Sequence, residues 1–264
     1  MYKVIFTFLI LNFYLKSNAQ NIERTFITIN RFTTVAIGKQ VWTTQNLSVD
    51  QFRNGDDIPL AKTAKDWREA CASQKPSWCY YKNSNENGVK YGKLYNWYAV
   101  NDPRGLAPLG YHMPSDSEWN NLMLNIQQES LMDGFDTISS TISTMKSTTG
   151  WKCENTVIYC SACILWTEEY RKDHTCNICK NKNKRKKFIN GNGTDDLGFS
   201  VLPGGSRYYD GTFALIGEDA FFWSSTNSSE LDASSIHLNY RFYIDCGMGT
   251  GKKAMGFSVR ILRD

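Results

Sequence analysis

The chain has 264 residues, of which 41% are hydrophobic and 14% aromatic, and its formal net charge at pH 7 is +4. This length suits one large domain or two small ones, and the apolar content excludes a chain that is disordered throughout. After residue 19 no apolar segment reaches membrane-spanning length, which excludes a mature chain that crosses a bilayer as a helix.

The N-terminal segment has the three parts of a secretory signal peptide in the usual order. Lys3 supplies a positive charge, residues 4–13 form a short apolar run, and Ala19 is the small residue that signal peptidase requires. The apolar run is too short for a membrane anchor, and residue 20 is not the cysteine of a lipoprotein. We therefore expect removal of residues 1–19 and export of the remaining chain to the cell surface or the extracellular space.

Short strands and turns are predicted for the first part of the mature chain. Apolar and polar residues alternate loosely, with the period of two that is typical of strands, in three segments: 26–30, 35–38 and 41–44. Residues 54–57, with the sequence Asn-Gly-Asp-Asp, form a turn by composition. Residues 61–70 contain Trp67 among good helix formers and predict a short helix.

A helix start is predicted at Ser115. Its hydroxyl can cap the free amides of the first turn, while Glu118 reaches back to the backbone amide of the cap. Four apolar side chains then fall on one face of this helix: Trp119, Leu122, Met123 and Ile126. A second helical period follows at Ile138, Ile142 and Met145. After Gly198 the pattern predicts only turns and short strands.

Six ordered blocks of sequence carry a resemblance to a known family. They share characteristic aromatic, glycine and arginine positions and occupy residues 41–47, 91–100, 110–114, 202–207, 222–226 and 256–260. In this order they resemble the Fibrobacter succinogenes major paralogous domain, from about Val35 to Arg263. The resemblance implies a secreted or surface-displayed single domain over residues 20–264, with an α+β fold of the C-type lectin-like type that formylglycine-generating enzymes also use. Such a fold has a small twisted antiparallel sheet, two helices and long loops closed by the terminal strands.

The cysteines depart from this family's pattern. Its members often carry two cysteines at places where this chain has Ala107 and Ile261, so the disulfide that the resemblance implies is not expected here. Cys79 matches a family-like cysteine, and Cys71 is its nearest candidate partner. The pairing of four cysteines stays open: Cys71, Cys79, Cys153 and Cys246.

A cysteine-rich insertion is predicted at about residues 150–196. It contains two Cys-x-x-Cys pairs separated by twelve residues: Cys160, Cys163, Cys176 and Cys179. Four thiolates at this spacing can bind one tetrahedral zinc ion, which would hold the loop together and leave no coordination position for catalysis. An oxidising compartment favours two disulfides instead. Structural zinc and two disulfides therefore remain alternatives.

A basic run at residues 180–187 follows the second cysteine pair and contains six lysine and arginine side chains. A charge run of this kind is commonly a solvated loop, although it can also attract an acidic glycan or another anionic surface. Nucleic acid is not an expected partner, because the chain is expected to be exported.

Groups for catalysis are few, because the chain has three histidines: His112, His174 and His237. A Cys or Ser nucleophile needs a base and an orienting acid close to it. His112 lies between Tyr111 and Met113, and we expect it to have a structural role. The sequence therefore predicts no enzymatic activity and no catalytic residues.

Carbohydrate binding is the competing hypothesis. The sugar-binding calcium signatures of C-type lectins are absent from the sequence, but seven aromatic residues offer flat faces to a sugar: Tyr80, Tyr81, Trp97, Tyr208, Tyr209, Trp223 and Tyr243. Arg207 and Arg260 are expected to tie turns together through backbone carbonyls. The sequence thus predicts an exported, non-catalytic binding or structural module of undefined ligand. The alternatives are a carbohydrate-binding, adhesin-like protein and an unrecognised enzyme.

Overall fold

The structure is a computed structural model that describes residues 32–132, 138–157, 186–241 and 247–264. Several predictions fall outside these ranges: the signal peptide, the strand at residues 26–30, His174, Tyr243, Cys246 and the four cysteines Cys160, Cys163, Cys176 and Cys179. The predicted strands at residues 35–38 and 41–44 lie within them and are confirmed as the first hairpin, with boundaries shifted by one residue.

Short strands alternate with short helices along the chain. The strands are β1 (Thr34–Ile37), β2 (Gln40–Thr43), β3 (Trp78–Cys79), β4 (Leu94–Tyr95), β5 (Tyr111–His112), β6 (Cys153–Val157), β7 (Lys186–Asn190), β8 (Ser206–Arg207), β9 (Phe213–Ala214), β10 (Asp219–Asn227), β11 (Asp232–Asn239), β12 (Gly247–Lys252) and β13 (Leu262–Arg263). The α-helices are α1 (Ala64–Ala72), α2 (Asn85–Tyr91), α3 (Trp97–Val100), α4 (Asp116–Met132) and α5 (Ile138–Met145).

The strands form small antiparallel sheets. One sheet has four strands in the order β1-β2-β13-β5, and another has three in the order β10-β11-β12. The pairs β3-β4, β6-β7 and β8-β9 form separate two-stranded ribbons. The α+β class is therefore confirmed. Among the described residues, every helix is too short or too polar to span a bilayer.

The segment formed by residues 256–263 connects most of these units. Three isolated bridges join it to β4, β8 and β10, pairing Phe257 with Tyr95, Gly256 with Arg207, and Ser258 with Phe222. Further along, Leu262 pairs with Trp42 of β2 and His112 of β5. Residues far apart in sequence thus meet along one extended segment.

The helix start at Ser115 is confirmed. The backbone N–H of Ser115 donates to Glu118 Oε2 (2.8 Å), and the N–H of Glu118 donates to Ser115 Oγ (3.4 Å), which is a reciprocal capping box. Trp119, Leu122 and Ile126 of α4 are buried, as the periodicity predicts. The second predicted helix is also present as α5.

The helix predicted at residues 61–70 begins three residues later. Thr63 is its N-cap, because the Thr63 hydroxyl accepts from the backbone N–H of Asp66 (3.1 Å) and the Asp66 carboxylate accepts from the N–H of Thr63 (2.8 Å). Ala61 instead donates its N–H to the carbonyl of Trp78 (2.9 Å), which keeps the preceding residues extended. A second capping box, which composition alone did not indicate, therefore sets this boundary.

Two expectations about architecture were wrong. The region after Gly198 contains long strands as well as short ones, because β10 has nine residues and β11 has eight. The described residues also contain five α-helices, where the resemblance implied two. The long strands escaped prediction because β10 is buried along most of its length and so does not alternate between apolar and polar residues.

Candidate functional site

A polar cleft of about 630 Å³ lies between α2 and four other segments of the chain. This volume is within the range of small-molecule sites. The cleft is lined by Thr44, Gln45, Asn46, Ser48, Gly88, Val89, Lys90, Tyr91, Gly92, Ser147, Thr148, Asp195, Ser200, Leu202 and Arg260. Hydroxyl and amide side chains predominate, so the cleft offers hydrogen bonds more than apolar contact.

Arg260 lies at the base of the cleft and is fully buried. Its guanidinium donates to the carbonyl oxygens of Thr43 (2.7 Å), Phe199 (2.9 Å) and Ser200 (3.0 Å). Its Nε donates to the side-chain oxygen of Asn46 (2.8 Å). These bonds use four of the five guanidinium N–H groups and hold together loops that are distant in sequence. The prediction that Arg260 ties turns together is confirmed.

Gly92 allows α2 to approach the segment that carries Asn46. The backbone of Gly92 has φ +74°, and a Cβ at this position would lie 2.9 Å from the Cβ of Asn46. The Asn46 amide donates to the carbonyl of Tyr91 (2.8 Å), while its oxygen accepts from Arg260. Asn46 therefore links the helical wall of the cleft to its base.

Asp195 and Ser200 line the cleft from another loop. The backbone N–H of Ser200 donates to Asp195 Oδ1 (2.7 Å), and the Ser200 hydroxyl donates to Oδ2. Both residues have left-handed backbone, with φ of 55° and 53°, a conformation that costs energy outside glycine and that these hydrogen bonds offset. Burial lowers the pKa of Arg260 to about 9, and the Asp195 carboxylate opposes that shift. The guanidinium therefore stays charged at neutral pH.

The side chains that reach solvent along the cleft are mostly polar. Gln45, Ser48, Lys90 and Thr148 are exposed, and Val89 of α2 is an apolar residue that is 91% exposed. The charged lining residues are two cations and one anion, which gives the cleft one net positive charge. Such a set of groups can bind a polar ligand by hydrogen bonds and charge.

The aromatic residues that were candidates for sugar stacking lie mostly in the core. Tyr81, Trp97 and Trp223 are buried, and Tyr80 and Tyr208 are half-buried. Tyr209, at the tip of the β8-β9 ribbon, is 53% exposed, and the Lys252 ammonium lies 5.0 Å from its ring centroid. Of the six described candidates, Tyr209 therefore presents the most ring surface to a ligand, and the structure does not bring these residues together into one platform.

Arg207 has the structural role that the sequence predicts. Its guanidinium is fully buried and donates to the carbonyl oxygens of Ala61 (2.8 Å), Thr63 (2.8 Å) and Gly211 (3.2 Å). Its Cζ also lies 4.7 Å from the ring centroid of Trp67. These contacts fix the N-terminus of α1 against the β8-β9 ribbon.

His112 joins three parts of the molecule. Its Nε2 lies 2.8 Å from Glu118 Oε1, and its Nδ1 lies 2.7 Å from Asp264 Oδ1. Partial burial lowers the pKa of His112, but the hydrogen bonds to Asp264 and Glu118 outweigh this effect and raise the pKa above its usual value. Because both ring nitrogens contact carboxylates, the geometry favours a structural role for His112.

His237 occupies a different environment in β11. Its ring stacks on Phe221 with centroids 4.4 Å apart, and its Nε2 lies 3.4 Å from Asp219 Oδ2. Neither His112 nor His237 lines the polar cleft. The structure therefore does not bring the described histidines to the candidate site.

The described cysteines carry free thiols: Cys71, Cys79 and Cys153. Cys71 and Cys79 lie in the same buried cluster, and burial raises the pKa of each thiol to about 11. Ala107 and Ile261 lie together in another buried cluster, so apolar packing occupies the place where the resemblance implies a disulfide. Across the described ranges, no three His, Cys, Asp or Glu side chains are grouped to hold a metal ion.

The predicted metal ligands Cys160, Cys163, Cys176 and Cys179 lie outside the described residues, as does most of the basic run. The described part of the insertion includes the β6-β7 ribbon, which pairs Cys153 with Asn190 and Val157 with Lys186. Zinc and two disulfides therefore stay alternative predictions for this insertion.

Sequence reasoning missed the cleft. Its lining residues come from segments around residues 46, 90, 148, 198 and 260, and most are hydroxyl or amide residues that are common in any loop. The available signal was that Asn46 and Arg260 belong to two of the six ordered sequence blocks. No spacing rule, however, relates two residues more than 200 positions apart.

The chain was compared with models of protein families, with curated proteins and with solved structures. The sequence model of the Fibrobacter succinogenes major domain matches residues 35–263. This confirms the resemblance carried by the six sequence blocks, and the matched range extends from β1 to β13 and includes the whole cleft. Neither the search of curated proteins nor that of solved structures gave a significant match.

Proposed function

The chain belongs to the Fibrobacter succinogenes major domain family, and from that premise we propose that it is an exported, non-catalytic module that binds a polar ligand in the cleft. Carbohydrate is the ligand class that best suits the cleft, because sugars present many hydroxyl groups to hydrogen-bonding side chains. We also propose that the chain is exported after cleavage at Ala19. We further propose a C-type lectin-like fold, which the connecting role of residues 256–263 supports.

The observation that carries this proposal is the construction of the cleft. Hydrogen-bonded side chains hold the cleft together, because the buried Arg260 and the half-buried Asn46 bond to backbone carbonyls of several segments. Exposed polar side chains such as Gln45 and Thr148 then stand on this rigid frame. A preorganised polar surface loses less conformational entropy when it binds a ligand.

A binding role also agrees with the state of the reactive groups outside the cleft. Cys71 and Cys79 are buried, and a thiol with a raised pKa is a poor nucleophile at neutral pH. His112 bonds to carboxylates through both ring nitrogens. The alternative of an unrecognised enzyme would be revived if the purified protein turned over a member of a broad substrate panel.

Glycan-array binding of residues 20–264 tests the proposal, with two threonine variants as a matched pair. Thr148→Trp places a large side chain in the cleft, whereas Thr250→Trp makes the same change at an exposed position of β12 outside it. We expect glycan binding by the wild type and Thr250→Trp, and loss of binding in Thr148→Trp. Equal binding by both variants would exclude the cleft as the ligand site.

A second candidate function is adhesin-like binding through an aromatic surface. Its supporting observation is Tyr209, which combines an exposed ring with the neighbouring Lys252 ammonium. Tyr209→Ala should abolish glycan binding if this surface is used and should leave binding unchanged if the cleft is used.

For the insertion, we propose that the four cysteines hold the loop closed, either through structural zinc or through two disulfides. Zinc content and free thiols, measured on the same purified sample, distinguish the two. One zinc per chain in the wild type and none in Cys160→Ser would support the metal site. No zinc, with four fewer free thiols than the full chain contains, supports the disulfides.

A further inference from the structure

The charges of the cleft point to a narrower ligand class. Lys90 and Arg260 are positive and Asp195 is negative. Asp195 is already engaged, since both of its carboxylate oxygens accept hydrogen bonds from Ser200. Arg260 is also engaged, because it donates to three backbone carbonyls and to the side chain of Asn46. Lys90 is exposed, whereas Arg260 is fully buried and Asp195 is half-buried, so Lys90 is the most accessible charged lining residue of the cleft.

The Lys90 ammonium lies between Tyr91 and Gly150, close to the segment that supplies Ser147 and Thr148 to the cleft. Its Nζ lies 4.9 Å from the ring centroid of Tyr91. It also lies 3.9 Å from the position that a Cβ of residue 150 would occupy, where the chain has glycine with φ +93°. Because Gly150 carries no side chain, a space large enough for a Cβ lies beside the ammonium, bordered by Leu202 and Pro203. A cation held at the mouth of a polar cleft suits an anionic group on a hydroxylated ligand.

We propose that the cleft binds a sugar that carries one carboxylate, a uronic acid residue, with the carboxylate at Lys90 and the ring hydroxyls at Gln45, Ser48 and Thr148. This inference rests on the proposed function and specifies its ligand. A single carboxylate matches the one net positive charge of the lining. A dianionic phosphate ester would leave one negative charge uncompensated inside the cleft.

The arrangement also explains why a lysine is sufficient. An ammonium is a compact point charge on a flexible stem. It can therefore pair with a carboxylate on a sugar ring that binds in more than one orientation. Its position in the last turn of α2 is favourable, since the free carbonyls at that end of a helix attract a cation. Exposure of Lys90 means that its attraction for the ligand is screened by salt.

The test measures binding of residues 20–264 to three sets of oligosaccharides by isothermal titration calorimetry at low salt. The sets are oligogalacturonides, neutral galactose oligomers of the same length, and O-sulfated galactose oligomers. We expect the oligogalacturonide to bind about fivefold more tightly than the neutral oligomer, the upper end for a partly exposed ion pair. Added salt should reduce this preference.

Three variants assign the preference to Lys90. Lys90→Gln should lower affinity for the acidic sugar to that for the neutral one, and Lys90→Arg should retain the preference. Lys75→Gln removes the same charge from an exposed position outside the cleft and should change nothing. Thermal unfolding of each variant confirms that the fold is intact.

The outcomes separate this inference from the proposed function. Equal affinity of the wild type for acidic and neutral oligomers would overturn the carboxylate assignment but leave carbohydrate binding in place. Tighter binding of the sulfated set than of the carboxylated set would overturn it in favour of a sulfate ester. A preference that survives in Lys90→Gln would place the anion elsewhere, and absence of binding to any sugar would overturn both proposals.

Discussion

Two buried arginines show how similar chemistry serves two regions of this molecule differently. Arg207 and Arg260 are both fully buried, and each donates to three backbone carbonyls from two separate segments. Arg207 lies in a closed corner, with its Cζ 4.7 Å from the ring centroids of both Trp67 and Phe213. Arg260 also packs on an aromatic ring, with its Cζ 4.9 Å from the ring centroid of Phe199, but it has a polar cleft beside it. A buried guanidinium therefore organises loops in both places, and the second one also lines a cleft with room for a ligand.

Arg207→Met should have the largest effect on stability. The variant keeps most of the side-chain volume but removes the donors for the carbonyls of Ala61, Thr63 and Gly211. Unsatisfied buried acceptors cost about 1–3 kcal/mol each, so we expect a loss of at least about 3 kcal/mol in the free energy of unfolding. Urea denaturation measures it, and a loss below about 1 kcal/mol would show that the corner does not depend on this side chain.

Arg260→Met should lose a similar amount of stability and also lose the ligand. Its donors hold Phe199, Ser200 and Thr43 around the cleft, so their removal should loosen the walls as well as the fold. The comparison with Arg207→Met is made by calorimetry at a temperature where both variants are folded. We expect glycan affinity to fall in Arg260→Met and to persist in Arg207→Met. Glycan affinity that persists in Arg260→Met and falls in Arg207→Met would contradict the distinction between the two regions.

Gly92→Ala should have an intermediate effect. Residue 92 has φ +74°, which costs a non-glycine residue about 1 kcal/mol or more, and the new Cβ would lie 2.9 Å from the Cβ of Asn46. We expect a loss of about 2 kcal/mol in the free energy of unfolding, together with weaker ligand binding. Gly55→Ala provides the control, since Gly55 also has positive φ but has no heavy atom near the position of a Cβ.

The smallest expected effect concerns pH and His112. Because its pKa is raised in the folded state, the His112 contacts stabilise the protein fully below the usual pKa of 6.5, and this stabilisation is lost as pH rises through the folded-state pKa. For Glu118, partial burial raises the pKa, but hydrogen bonds from Ser115 and His112 outweigh this and lower it. Its contribution is therefore present above the usual value of 4.5 and is lost as pH falls through the lowered pKa.

The contact between His112 and Glu118 is thus strongest between pH 4.5 and pH 6.5. Both groups are partly exposed, so solvent screening limits the effect to about 1 kcal/mol or less. Urea unfolding of the wild type and of His112→Asn at pH 6 and pH 8.5 measures it. The wild type should be more stable than the variant by a larger margin at pH 6. An equal margin at both pH values would show that the ion pairs contribute nothing.

Local chemistry made part of the fold predictable. The capping box of Ser115 and Glu118 uses residues three apart, so its geometry can be read directly from the sequence. The tying role of Arg207 and Arg260 was also predictable, because a guanidinium in a turn-rich, apolar region has few partners other than backbone carbonyls. For the capping box and for the two arginines, the local sequence leaves each side chain one kind of hydrogen-bond partner.

Elements that depend on distant partners were not predictable. The sequence of β12, Gly-Met-Gly-Thr-Gly-Lys, has low strand propensity and becomes a strand because it pairs with β11. Gly251 of this strand lies against the ring of Phe257, and a Cβ there would approach it to 2.6 Å. The cleft was not predictable for the same reason, since its shape depends on where several separate loops meet.

The most direct test of the central claim is NMR chemical-shift mapping of residues 20–264 titrated with the tightest oligosaccharide from the array. We expect saturable shifts at backbone amides of residues 44–48, 88–92, 147–148 and 195–202, which line the cleft. Shifts confined to the β8-β9 ribbon around Tyr209 and to Lys252, with the cleft amides unchanged, would contradict it.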